Sequence, residues 1–139
     1  MLVLDTDHLT ALGYPTPLGQ RLLERLSSAG TEVATTAINV DEQLTGLLAA
    51  IHARHEADDQ IQPYSELIGR LEFLASFLTL PWDSESAAHF RKLKAEKIRL
   101  GTMDLKIACV ALAHDVTVLT RNTSDFAKVP GLRLENWLD

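Results

Sequence analysis

Asp5 and Asp7 follow the apolar run Leu2-Val3-Leu4, and Glu42 lies six residues beyond Thr36. Asp104 comes just after Gly101-Thr102-Met103, and Asp125 three residues after Asn122. Carboxylates gathered at one place repel one another unless protons or cations neutralise them. An all-oxygen set suits Mg²⁺, with Mn²⁺ as a substitute, because these ions take octahedral geometry and keep several waters. Asp104 in the first turn of a helix would be held ionised by the helix dipole, as a metal ligand requires. Each acid alone also has a plainer explanation. Asp5 and Asp125 suit turn caps, Asp104 is a common first-turn acid, and Asn39-x-x-Glu42 fits a capping box. If the helix begins at Thr36 instead, Glu42 lies beyond its first turn and is free.

The acids can meet only if the elements carrying them share an edge. Leu2-Val3-Leu4 reads as a buried strand, and Glu32 to Thr35, Leu78 to Pro81, Val116 to Leu119 and Leu132 to Trp137 as four more. Thr16-Pro17 starts a helix with a hydroxyl cap and proline at its first position, and Gly30 closes it. Further helices are predicted from Thr36, over the 59–79 region with its three- and four-residue apolar spacing, from Ser84 to Leu100 ended by Gly101, and behind a Thr102 cap. Leu105 to Leu112 is apolar nearly all round, as in a helix buried on most sides. Short strands alternating with helices imply an α/β sandwich with a mostly parallel sheet of about five strands, in a single domain over residues 1–139. Ligands in such folds sit beyond the carboxyl ends of the strands, which is where Asp5, Glu42, Asp104 and the Asn122/Asp125 loop would gather.

Other chemistry finds less support. The chain has 139 residues and a net charge of −6, a balance that argues against coating nucleic acid by charge alone. Those four acids account for most of the negative surplus, so the same balance is compatible with a metal site that attracts phosphate. One cysteine, Cys109, excludes a disulfide scaffold and is expected in the core. His52 and His55 read as a solvated face, and His8, His89 and His114 have no zinc-ligand spacing. Phosphate-cradling glycine motifs and a serine nucleophile elbow are missing. No leader or membrane span is visible, and a cytoplasmic protein is expected.

Leu2-Val3-Leu4-Asp5-Thr6-Asp7, Glu42, the segment Gly101 to Ala108 and the segment Leu119 to Phe126 together resemble the PIN-domain family, with the VapC toxins of VapBC toxin–antitoxin systems as the nearest group. The likeness runs from residue 2 to about residue 137. It implies a PIN-like α/β/α sandwich and a Mg²⁺- or Mn²⁺-dependent endoribonuclease, with a VapB-type antitoxin as partner, an RNA substrate such as a tRNA or rRNA loop, and a homodimer. By the same resemblance Asp5 and Asp104 hold the metal, Glu42 matches the helix-borne acid, and either Asp125 or Asn122 completes the set. Thr6, Asp7 and Thr120 match positions that orient the carboxylates. Arg91, Lys94, Lys97, Arg99 and Arg121 are candidate phosphate contacts, and the helices at 16–30 and 59–79 candidate partner surfaces. Two other readings stand beside this one. A catalytically degenerate PIN fold would serve only to bind an antitoxin or to dimerise. A haloacid-dehalogenase-like phosphatase would use Asp5 as nucleophile, but too little chain follows Thr120 for its remaining motifs.

Overall fold

The computed structural model describes all residues from Met1 to Asp139. Strand β1 (Leu2–Leu4) lies at the centre of a five-stranded sheet, between β2 (Val33–Thr36) and β4 (Thr117–Leu119). Outside these lie β3 (Leu78–Leu80) and β5 (Arg133–Glu135), giving the order β3-β2-β1-β4-β5 with every pair parallel. Parallel neighbours need crossovers, and the helices supply them. They are α1 (Thr6–Leu12), α2 (Pro17–Ala29), α3 (Ala37–His52), α4 (Ile61–Ala75), α5 (Ser84–Ala95), α6 (Thr102–His114) and the short α7 (Thr123–Phe126).

The pleat sorts the strand residues into two cores. Val3, Ala34 and Val118 face one side with Leu105, Ile107, Val110 and Phe126, whereas Leu2, Leu4 and Leu119 face the other with Leu9, Leu22, Leu26 and Leu74. A sheet buried on both faces is what the near-continuous apolar runs call for. Each fully buried Leu or Ile contributes about 1.5–3 kcal/mol relative to exposure. Helix α6 is the most enclosed, with Leu105, Ile107 and Ala108 to Ala111 all buried, so the acid in its first turn is held on a rigid rod. Cys109 lies among them, and burial pushes its thiol up to about 11, which leaves it inert packing.

Helix α2 starts as expected: the Thr16 hydroxyl accepts from the Gly19 N–H at 3.1 Å, and Gly30 ends the helix at φ 64. Gly19 is obligatory there, since a Cβ would sit 2.2 Å from the Ala11 carbonyl oxygen where α2 crosses α1. Several boundaries differ from the sequence reading, among them that of the 59–79 helix, which spans only Ile61–Ala75, whereas α3 is capped at Thr36 as expected. Helix α1 was not expected, because Asp5-Thr6-Asp7 reads as a turn; it begins directly at the end of β1, with no loop. Helix α5 ends at Ala95, short of Leu100. The Ile98 N–H donates back to the Leu93 carbonyl at 3.4 Å, and Lys97 takes φ 58, the left-handed closing turn that lets Ile98 pack on the core. Thr102 is the first residue of α6 rather than its cap, which is Gly101. The capping pair of α3 is Thr36 with Asn39, not Asn39 with Glu42.

Candidate active site

Strands β1 and β4 are neighbours whose crossovers leave in opposite directions, one towards β2 and the other towards β5. Such a switch point opens a crevice at the carboxyl edge of the sheet. Asp5 lies there, 6% exposed, with its N–H donating to the Leu119 carbonyl at 2.9 Å. Two side chains fix its carboxylate: the Thr120 hydroxyl donates to Oδ2 at 2.8 Å, and Asn39 Nδ2 donates to Oδ1 at 3.3 Å. Asn39 owes its position to the α3 cap, where it takes the Thr36 hydroxyl proton at 2.7 Å while its own N–H returns to that oxygen. Asn39 also donates to the Thr6 hydroxyl at 3.2 Å, and Thr6 donates to Glu42 Oε1 at 3.2 Å. Because α3 begins at Thr36, Glu42 is past the first turn and joins this cluster.

Electrostatics link the three acids. Burial pushes the Asp5 carboxyl above its ordinary value, and the Asp7 charge adds to that, against the lowering hydrogen bonds of the Thr6 N–H, Thr120 and Asn39. Burial also raises Glu42, assisted by the charges of Asp5 and Asp104. Asp104 is raised by burial and then by Asp5, while the Asn122 amide, donating to its Oδ2 at 3.4 Å, opposes the shift. No three His, Cys, Asp or Glu side chains converge on one point at ligand distance. The acids are coupled at longer range by charge. As a donor set they still fit a hard divalent cation in kind: oxygen only, partly buried, and mutually repelling. Each Asp5 oxygen that accepts one hydrogen bond keeps a further lone pair. Mg²⁺ needs only one or two carboxylates, with water filling the remaining positions.

The other expected residues divide. Asp125 is tied to Lys128 Nζ at 3.1 Å, and that bond, with the Asn122 amide nearby, holds its carboxyl below the ordinary value. Asn122 is thus the residue that touches Asp104, while Asp125 acts on it only through its charge, which also raises the Asp104 carboxyl. Asp7 carries no raised carboxyl. Burial alone would raise it, but the hydrogen bonds from His8 and from the Arg121 N–H (2.8 Å) prevail and lower it. The Arg121 guanidinium pairs with Asp139 at 3.2 Å, while Arg91, Lys94, Lys97 and Arg99 are exposed and form no ion pair. Three residues escaped the sequence reading. Lys128 had no motif around it, and it reaches both Asp125 and the Arg99 carbonyl. Asn39 was assigned only to a cap, although the Thr36-x-x-Asn39 spacing places it in the first turn of α3. His8 has no zinc-ligand spacing to mark it in the sequence, yet it is fully buried beside Asp7.

Neither of the two surface hollows, of about 130 and 240 Å³, is lined by any of these acids. The cluster is an open edge rather than a closed pocket. A family model for the PIN domain matches residues 2–132. The chain belongs to the PIN domain family. The PIN fold here also resembles a chain of the DNA-bound VapBC structure from Salmonella typhimurium, with a TM-score of 0.78 at 24% identity over 98% of this chain and 97% of that one. Among curated PIN-type relatives, the ribonuclease VapC2 of Haemophilus influenzae is 26% identical over 140 residues, 98% of this chain and 97% of that protein. The tRNA(fMet)-specific endonuclease VapC of Salmonella typhimurium strain LT2 is 26% identical over 104 residues, 72% of this chain and 79% of its own. No helix of the PIN domain is long and apolar enough to cross a membrane.

Proposed function

We propose that this PIN domain is a Mg²⁺-dependent endoribonuclease and the toxin of a VapBC-type pair. The observation that carries the reading is Asp5: a carboxylate buried at the β1/β4 switch point, oriented by Thr120 and Asn39, and raised together with Glu42 and Asp104. Three acids held this way store repulsion that a divalent cation relieves. Mg²⁺ or Mn²⁺ bound there would polarise a scissile phosphate and ease deprotonation of water. The chain's own residues do the rest. Asp5 and Asp104 would hold the cation and Glu42 would add charge from the α3 side, while Thr120, Asn39 and Asn122 keep the carboxylates oriented. Asn122, rather than Asp125, completes the set, because Asp125 is engaged by Lys128.

The open edge supports a polymer as substrate. Small-molecule sites are enclosed, whereas an unpaired RNA loop must be laid across its cutting site. The names of the VapC relatives support RNA, with tRNA or rRNA loops as the class. A VapB-type antitoxin and a homodimeric partner are supported by exposed apolar side chains on the two helices expected to meet them: Leu23 on α2, and Ile61, Tyr64, Ile68 and Leu71 on α4. Such a chain works in the cytoplasm.

The test is cleavage of structured RNA with Mg²⁺, with EDTA, and with Asp5→Asn or Asp104→Asn. Cleavage is expected to need the cation and both acids, and to leave 5′-phosphate and 3′-hydroxyl ends. Cleavage that survives EDTA, or ends bearing a 2′,3′-cyclic phosphate, would overturn the reading. A fold that only binds an antitoxin would bind it but cut nothing.

A further inference from the structure

His8 is fully buried, at 0% exposure, and the reaction outlined above makes no use of it. Both ring nitrogens are engaged. The Trp137 backbone N–H donates to Nε2 at 3.1 Å, so Nε2 carries no proton. The proton is therefore on Nδ1, which donates to Asp7 Oδ1 at 2.6 Å. Asp7 Oδ2 receives the Arg121 N–H at 2.8 Å, and the Thr120 hydroxyl stands 3.4 Å from it. That hydroxyl gives its proton to Asp5, the nearer acceptor, and takes the Asn122 N–H at 3.0 Å. Asn122 in turn reaches Asp104. Hydrogen bonds thus run from the backbone at Trp137 through His8 and Asp7 to the Arg121 N–H, and the residues on either side of Arg121, Thr120 and Asn122, bond to the two central acids.

We infer that His8 is a positioning residue: its Nδ1–H fixes the Asp7 carboxylate, which holds Thr120-Arg121-Asn122 so that Asp5 and Asp104 face a common point. Trp137 sets the tautomer that makes this possible. The tail carrying Trp137 is anchored independently, with the Arg25 guanidinium 4.3 Å above its ring and Arg121 paired to Asp139. For catalysis this rests on the nuclease reading; for the geometry of the loop it does not.

The ring can be split into its two halves by substitution. H8N keeps a donor near the Nδ1 position and loses the partner of Trp137. H8Q keeps a polar group near the Nε2 position and loses the bond to Asp7. Both give up the same packed ring, so melting temperature is expected to fall similarly. With Asp7 support as the operative part, H8Q lowers RNA cleavage by about 10- to 100-fold, the scale for groups that orient metal ligands, and H8N by much less. In a double-mutant cycle, D7N added to H8Q costs little more than H8Q alone. Amide ¹H–¹⁵N spectra taken without metal or RNA give an answer independent of cleavage. The Arg121 and Asn122 signals should move in H8Q and stay near their wild-type places in H8N. Equal losses in the two variants that track melting temperature, or Arg121 and Asn122 signals unmoved in H8Q, would overturn the inference. If the wild-type chain cut no RNA at all, the nuclease reading would fail, and the amide signals would still decide this one.

Discussion

The carboxyl edge of the sheet and helix α4 break the usual sorting of side chains in opposite directions. At the edge, Asp5, His8, Thr36, Asn39 and Thr120 are all buried polar groups, each with a hydrogen-bonding partner. On α4, Ile61 is 67% and Ile68 60% exposed, with Tyr64 and Leu71 beside them, and only Pro63 and Leu74 of that helix are buried. The first region buries like charges that raise one another's carboxyls; the second leaves apolar area in water. Neither serves the isolated fold. The proposed function would supply what each lacks, a counter-charge at one end and a covering surface at the other.

The largest effect should come from breaking the edge. Asp5→Asn keeps the shape and removes a charge, and RNA cleavage is expected to drop at least about 100-fold, beyond the upper range for groups that merely orient a metal ligand. Melting temperature in EDTA at pH 8 should rise at the same time, because the raised Asp5 carboxyl marks a charge the fold disfavours. Loss of cleavage together with loss of stability would mean that the acid is structural. On the other region the pattern inverts. Replacing Ile61 and Ile68 by Ser should change folding stability by no more than about 0.5 kcal/mol per site. Antitoxin affinity, measured by titration calorimetry, should weaken by about 1 kcal/mol or more at whichever residue is a central contact.

A subtler test removes support without charge. Thr120→Val deletes the donor to Asp5 Oδ2 while keeping the β-branched shape. Cleavage should fall by about tenfold, with part of that loss appearing as weaker Mn²⁺ binding by electron paramagnetic resonance.

The smallest effect is a slope. The ordinary carboxyl values are 3.8 for Asp5 and Asp104 and 4.5 for Glu42, and all three are raised in the fold. The native state therefore keeps protons that the unfolded chain has already released, and metal-free stability should decline as pH rises through those values towards the raised ones. Asp7 runs the other way. Its lowered carboxyl contributes stability above 3.8 that disappears as pH falls through the folded value. Mg²⁺ at 100 times its dissociation constant should add about 2.7 kcal/mol. That gain should shrink as pH falls through the raised values of these acids, and urea unfolding with and without Mg²⁺ at several pH values measures it.

The two regions also differ in how much of them could be read from residue order. Apolar runs such as Leu2-Val3-Leu4 and Val116 to Leu119 announce strands, and strand ends announce where Asp5 and Thr120 must lie. The three- and four-residue spacing of Ile61, Tyr64, Leu67, Ile68 and Leu71 gives α4 directly. Spacing shows that an apolar face exists, but not that it stays in water, which depends on what packs above it. At the edge, the hidden parts are those set by distant partners. Asn39 looks like a cap because its bonds to Thr36 are local, while its bond to Asp5 spans 34 residues. His8 finds Trp137 129 residues away, and no local pattern records that. Helix α1 was concealed because Asp5 is its cap residue yet makes no side-chain cap bond, its carboxylate being turned instead to Thr120 and Asn39.

The central place of β1 bears on the making of the protein as well as on its shape. The first strand leaves the ribosome early, but one of its two neighbours is β4, and Thr120 is separated from Asp5 by 115 residues of chain. A nascent chain stopped before residue 117 has a half-open sheet, no hydroxyl on Asp5 and no Asn122 beside Asp104. The carboxylates cannot be aligned until β4 and the loop after it have emerged and docked. An unfinished copy therefore carries the acids without their alignment, and the site comes into being only when the chain is nearly whole.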